Sequence, residues 1–262
     1  MLALPSAAFG YAPTMGVRAP AQNIVMETKA DLGVLANKLN PAVKFYDPLK
    51  LADAELFGSN EKAVGFLRHA EIKHGRVAMA AFIGYCVQSN GIYFPWATSF
   101  DGTTYADIAA AGSPPAQWDA VPTNAKWQIF LFIALLETWS EAAMPKHYMS
   151  GGKPGEYPSF APIRADLGHP TLDLFDPFGF QKKATPEKKE KGLLIEINNG
   201  RLAMIGIMGF VSEAKVPGAV PGLAGLGIAP YSGEVMAPWG PGDESVALVK
   251  EMLTYVGPWG SI

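Results

Sequence analysis

Polar and apolar positions divide this chain into three long segments that share one design. Proline is absent between Pro48 and Pro95, between Pro122 and Pro145, and between Pro186 and Pro217, and each stretch holds a run that reads as helix. The runs are 61–88, 124–143 and 187–215, the last with its most apolar part at 190–213. In the first, the uncharged half Val77–Gln88 follows a half carrying Glu71, Lys73, His74 and Arg76. In the third, uncharged Leu202–Ser212 follows Glu196 and Arg201. In the middle one, uncharged Trp127–Leu136 ends at Glu137. About 20 helical residues cross a bilayer, so all three are long enough. Within these helices no uncharged run reaches about 18 residues. Two readings therefore stay open: amphipathic helices of a soluble domain, or membrane spans whose charges are paired or functional.

The first and third segments repeat one pattern. Glu71-Ile-Lys-His74-Gly-Arg76-Val-Ala-Met79 aligns with Glu196-Ile-Asn-Asn199-Gly-Arg201-Leu-Ala-Met204, with Glu, Ile, Gly, Arg, Ala and Met identical. An Asp-Pro turn precedes each copy, in Tyr46-Asp47-Pro48-Leu49 and in Phe175-Asp176-Pro177-Phe178. A helical repeat of this kind implies pseudo-two-fold symmetry. At about 100° per residue, Glu71 shares a face with His74, and Glu196 with Asn199. Positions five apart diverge by about 140°, so neither glutamate reaches the arginine of its own motif. Helices crossing about a two-fold axis would instead pair Glu71 with Arg201 and Glu196 with Arg76, which makes buried charge tolerable. Gly75 and Gly200 beside the arginines permit close backbone approach. A carboxylate neutralised by arginine keeps a free lone pair, and His74 or Asn199 adds a neutral donor beside it. Such a set suits magnesium already held by a macrocycle and needing one more hard ligand.

Composition narrows the class. Lys plus Arg is 21 and Asp plus Glu is 24, a net charge of −3, so no basic field exists to hold a nucleic acid. The single cysteine, Cys86, excludes an internal disulfide framework and a thiolate zinc site. Charged residues are 17% of the chain, against about 25% in soluble domains. No P-loop, nucleophile elbow or dinucleotide-binding motif is present.

The doubled E-x-x-[HN]-x-R motif, with an Asp-Pro turn before each copy, resembles the light-harvesting chlorophyll-binding protein family over roughly residues 45–221. IEINNGRLAMIGIMGF, SEAKVPGAVPGL, KHYMSGGKPGEYPSF and DPFGF are similar to its chlorophyll a/c branch, the antennae of dinoflagellates, haptophytes and related algae. The resemblance implies an all-α membrane protein. Three transmembrane helices are expected, the first and third crossing with pseudo-two-fold symmetry, plus short amphipathic helices. It implies chlorophyll magnesium bound through Glu71, His74, Glu196 and Asn199, with Arg76 and Arg201 as structural ion-pair partners. It adds Gln128 and Glu137 of the middle helix as ligands. Fourteen residues after Asn199, where the family carries a glutamine ligand, stands Glu213, with Lys215 to balance its charge. The histidine ligand that green-plant relatives place after the third span has no counterpart, since no histidine follows His169.

The implied cofactors are chlorophyll a, chlorophyll c and carotenoids of the peridinin or fucoxanthin type and the diadinoxanthin type. The implied function is a light-harvesting antenna scaffold, not an enzyme, integral to the plastid thylakoid membrane. Its expected partners are a photosystem core, other antenna proteins and membrane lipids, with no nucleic acid and no small-molecule substrate. An energy-dissipating, photoprotective member of the family is the alternative. A helical di-iron carboxylate enzyme is the alternative of another class, weakened because Glu196 is followed at i+3 by Asn199 rather than His. SAAFGYAP resembles a plastid-import motif, so residues 1–25 read as a targeting remnant or a flexible terminus, and 26–262 as one chlorophyll-binding domain.

Remaining features read as structural. His69 and His147 are expected at surfaces or interfaces. Lys182, Lys183, Lys188, Lys189 and Lys191, with Glu187 and Glu190, read as a solvated entry to the third helix. Asp243 is expected to cap a short amphipathic helix through Tyr255, with Val246, Val249, Met252 and Leu253 on one face.

Overall fold

The computed structural model describes residues 28–100, 102–160, 184–235 and 237–254. Among them the chain is helical, and its one β feature is an isolated bridge between Ala97 and Thr104. The helices are α1 (Lys29–Leu39), α2 (Asn60–Ser89), α3 (Tyr105–Ala109), α4 (Pro114–Asp119), α5 (Thr123–Ala142), α6 (Pro186–Lys215) and α7 (Val249–Thr254). The three expected long helices are thus present within a few residues of their predicted bounds. Residues 1–25, the second Asp-Pro turn, Lys182, Lys183 and Tyr255 lie outside the described residues.

Local chemistry sets the helix ends. Ser59 caps α2 by accepting from Lys62 N, and Thr185 caps α6 through Lys188 N with Pro186 at its first position. Asp47 of the first Asp-Pro turn accepts from Leu51 N and Ala52 N and fixes the 3-10 turn Leu51–Asp53. α1 carries no signal that stood out in the sequence. A Thr28–Asp31 capping box starts it, and Lys38 and the Leu39 carbonyl tie it to Glu190 and Asn198 of α6.

α2 and α6 pack extensively on each other, while α5 makes no extensive backbone contact with either. α5 is held by long side chains instead, chiefly Lys73 of α2 reaching Glu137, Ser140 and Glu141. The C-terminal ends of α2 and α6 lie at the same end of the molecule. There Gln117 Nε2 donates to Gln88 O at 3.2 Å, Tyr231 N to Ala214 O at 2.7 Å, and Tyr231 Oη to Asp119 at 2.6 Å. α5 starts at that end and runs back.

The long helices are apolar on the outside. Val77 and Ile83 of α2, Leu131 and Leu135 of α5, and Leu202 and Ile205 of α6 are each more than half exposed. In α5 the two buried residues are polar, Lys126 and Ser140. A water-soluble bundle buries its apolar stripe, and this arrangement is the reverse. By length and composition, one helix among the described residues, Pro186–Lys215, is apolar enough to cross a membrane.

One expectation at the C-terminal end is corrected. Asp243 does not cap α7, which starts at Val249. It sits in the turn Pro241–Asp243 and is fully buried against Lys126 Nζ at 2.5 Å. It also accepts from Thr123 Oγ1 at 2.5 Å and Gly240 N at 2.9 Å. The Trp239 ring packs on Trp127 and Phe130 of α5 beside this pair. Burial opposes the Asp243 charge, yet Lys126, Thr123 and Gly240 hold its carboxyl below the usual carboxylate range.

Candidate functional site

The site is the crossing of α2 and α6. A Cβ at Gly75 would stand 3.0 Å from Gly200 Cα, and one at Gly200 2.9 Å from Gly75 Cα, so the backbones touch at the two repeat glycines. Larger residues could not allow it. Both reciprocal pairs form. Arg76 Nε donates to Glu196 Oε1 at 2.6 Å, and Arg201 donates to Glu71 Oε1 at 2.7 Å.

The two halves are not equivalent. Glu71 also receives Arg68 from its own helix on Oε2, so two arginines hold it. The repeat counterpart of Arg68 is Leu193, and among the described residues the cation on Glu196 is Arg76. Arg76 spends its other end on Gly155 O at 2.6 Å. The glutamate side chains are 25% and 27% exposed, which leaves their oxygens within reach of a ligand at the helix surface.

His74 is exposed, and its Nδ1 lies 2.7 Å from Ala70 O. A carbonyl only accepts, so Nδ1 carries the proton and Nε2 presents a lone pair outward. Asn199 is likewise exposed. On α5, Gln128 is exposed, and Glu137 is neutralised across the helix gap by Lys73 Nζ. Lys73 precedes His74 in the motif, and its repeat counterpart is Asn198, so this cation is absent from the second copy.

Other predicted residues are placed differently. Glu213 is buried, and its two oxygens accept from Gly218 N and Val220 N at 2.8 Å each, tying down the loop after α6. Lys215 does not balance it, donating instead to the carbonyls of Ser232 and Gly233. His69 is buried rather than superficial. It stacks on Tyr148 at 3.8 Å and accepts from Gly155 N at 3.1 Å. His147 holds Glu141 at 2.8 Å and accepts from Met149 N, so both its nitrogens are engaged. Lys188, Lys189 and Lys191 are exposed as expected. Sequence reasoning missed Arg68 and the Lys73 bridge. A cation three residues before Glu71 was the available signal for the first.

The two helices meet at glycine, clamp each other through reciprocal ion pairs and leave oxygen and imidazole donors at their surface. The donor set fits chlorophyll: hard oxygen and imidazole ligands, each carboxylate met by arginine and partly exposed at the helix surface. The sequence profile of the family described as Chlorophyll A-B binding protein matches residues 31–215. The chain is 32% identical over 222 residues to the fucoxanthin-chlorophyll a-c binding protein of Trieres chinensis, covering 84% of this chain and 94% of that protein. It is 33% identical over 212 residues to fucoxanthin-chlorophyll a-c binding protein F of Phaeodactylum tricornutum, covering 80% and 90%. For protein A of Macrocystis pyrifera the figures are 30% over 214 residues, covering 81% and 83%. The chain belongs to the chlorophyll a-b binding protein family, whose members are pigment-binding light-harvesting proteins rather than enzymes. The di-iron reading falls with that membership.

Proposed function

We propose that the chain is an antenna scaffold spanning the plastid thylakoid membrane three times, through α2, α5 and α6. It carries chlorophyll a, chlorophyll c and a xanthophyll of the fucoxanthin type, and passes excitation to a photosystem core directly or through neighbouring antennae. The observation that carries this reading is the crossing itself: two ion-paired glutamates at a glycine contact, on helices whose outward faces are apolar. The relatives named above support the pigment classes.

Bound chlorophyll supplies absorption and excitation transfer. The chain supplies position and charge balance. Glu71 and Glu196 would ligate magnesium with their charge met by arginine, Glu196 by Arg76 and Glu71 by both Arg201 and Arg68. His74 ligates through Nε2, its ring orientation fixed by Ala70 O. Asn199 offers its amide oxygen, Gln128 does the same on α5, and Glu137 is made neutral by Lys73. Glu213 is left to the loop it holds.

The test is refolding of the bacterially expressed chain with chlorophyll a, chlorophyll c and fucoxanthin, followed by pigment counting and fluorescence excitation spectra. Chlorophyll emission excited through the carotenoid band is expected. A colourless product, or bound carotenoid that transfers nothing, would overturn the reading. A strongly shortened chlorophyll lifetime would assign the dissipating role instead.

A further inference from the structure

We infer that the segment Ile92–Phe100, just beyond α2, is a membrane-interface anchor whose partner is the headgroup and acyl boundary of the bilayer that α2 crosses. The inference rests on the spanning reading above. Three independent observations carry it.

The first is register. Gly75 stands at the middle of the 30-residue α2, and Gly200 at the middle of the 30-residue α6. A crossing point central to both helices belongs at the bilayer midplane. From Gly75 to Ser89 the helix rises about 21 Å, or about 20 Å at a typical tilt of about 20°. The hydrocarbon half-thickness is about 15 Å, so α2 ends at headgroup level.

The second is the way α2 stops. Gly91 adopts φ +64, its N–H donates to Gln88 O at 3.1 Å, and Ile92 N–H donates to Val87 O at 3.2 Å. This left-handed double-bonded cap ends the helix abruptly and turns the chain sideways. The following residues therefore leave the helix axis at that level.

The third is the chemistry of the segment. No charged residue occurs between Arg76 and Asp101, so the uncharged character of α2 continues past its end. Ile92, Tyr93, Phe94, Trp96 and Phe100 are each more than half exposed. Phe94 stacks on Trp96 at 4.6 Å and meets Tyr105 edge-on at 5.7 Å, so the rings form a preassembled patch instead of packing into the body. Tryptophan and tyrosine concentrate at membrane interfaces because their rings are apolar with one polar edge. The same uncharged run begins in α2, whose outward Val77 and Ile83 are also exposed, which makes lipid the occupant of the patch rather than a second protein.

The test uses the pigmented full chain in vesicles of digalactosyldiacylglycerol and phosphatidylglycerol. Nitroxide labels are placed by Phe94→Cys or Trp96→Cys in a Cys86→Ser background, with Leu135→Cys as a lipid-facing control and Lys50→Cys, exposed and well ahead of α2, as a water-side control. Collisions with oxygen and with a water-soluble nickel chelate are compared. Labels at 94 and 96 are expected to favour oxygen several-fold more than the label at 50, though less than the label at 135. Nickel access equal to that at 50 overturns the anchor, and so does exclusion of both reagents, which would mean a protein covers the patch. A label at 135 that behaves like 50 overturns the spanning reading itself. Hydroxyl-radical footprinting of the unsubstituted chain gives a check independent of folding of the variants. The peptide holding Tyr93, Phe94 and Trp96 should be several-fold less oxidised in vesicles than in the denatured chain, and equal oxidation refutes the anchor.

Discussion

Replacing Arg76 by leucine should damage the pigmented protein more than replacing Arg201, although the repeat makes the two arginines equivalent by sequence. Arg201→Leu leaves Glu71 with Arg68 still on Oε2. Arg76→Leu leaves Glu196 with no cation among the described residues and also frees Gly155 O. Stripping the partner from a charge held out of water costs about 3–5 kcal/mol. Losing one of two hydrogen bonds to a charged group costs about 1.5–3 kcal/mol. The gap between the variants is then about 2 kcal/mol. For a domain of this size each kcal/mol moves the midpoint by about 2–4 °C, so the midpoints should differ by about 4–8 °C. The assay is loss of induced chlorophyll circular dichroism on heating the refolded variants. Adding Glu196→Gln to Arg76→Leu should recover part of the loss, because a neutral amide still ligates magnesium and needs no counter-ion. Equal midpoints or the reverse order would refute the assignment of Arg68 as a second clamp on Glu71, and absence of rescue would refute Arg76 as the counter-ion of Glu196.

Three further outcomes are expected. His74→Leu and Asn199→Leu should each remove about one chlorophyll per chain while the rest of the complex refolds, and unchanged pigment stoichiometry contradicts ligation. Lys73→Gln should lose the chlorophyll at Glu137, and Lys73→Gln with Glu137→Gln should restore it; if Glu137→Leu alone loses nothing, Glu137 is not a ligand at all. Asp243 has its carboxyl held below the ordinary value, so its contribution is complete above the unfolded pKa of about 3.9 and is lost as pH falls through the lower folded value. The C-terminal segment should therefore resist proteolysis at about pH 5 and release only in stronger acid, and release already at about pH 5 would contradict the Lys126–Asp243 latch.

Much of this was legible in the sequence because a repeat carries its own control. The nine-residue motif, read with helical geometry, required Glu71–Arg201 and Glu196–Arg76 and explained why glycine accompanies each arginine. What it hid were departures from symmetry. Arg68 and Lys73 align with Leu193 and Asn198 in the second copy, so comparing the copies gives them no weight, yet they place a cation on Glu71 and on Glu137. Asp243 was hidden for another reason. Its partner, Lys126, is 117 residues earlier, and an acidic residue ahead of an apolar stretch reads locally as a helix cap. Glu213 matched a family position, but its carboxylate found two free backbone N–H groups in the Pro-Gly loop that follows.

The latch between Lys126 and Asp243 also has a consequence for the order in which the molecule is completed. A ribosome delivers the beginning of α5 long before it delivers the turn at Pro241–Asp243. Until then the Lys126 ammonium, which ends with no solvent exposure, has no carboxylate to meet it. The third of the long helices can already be in place at that stage, since α6 ends at Lys215. Closure at the far end thus comes later than the crossing and waits for the turn at Pro241–Asp243. A chain cut short ahead of residue 240 would have all three long helices and the whole crossing, and would still lack the counter-charge that seats α5.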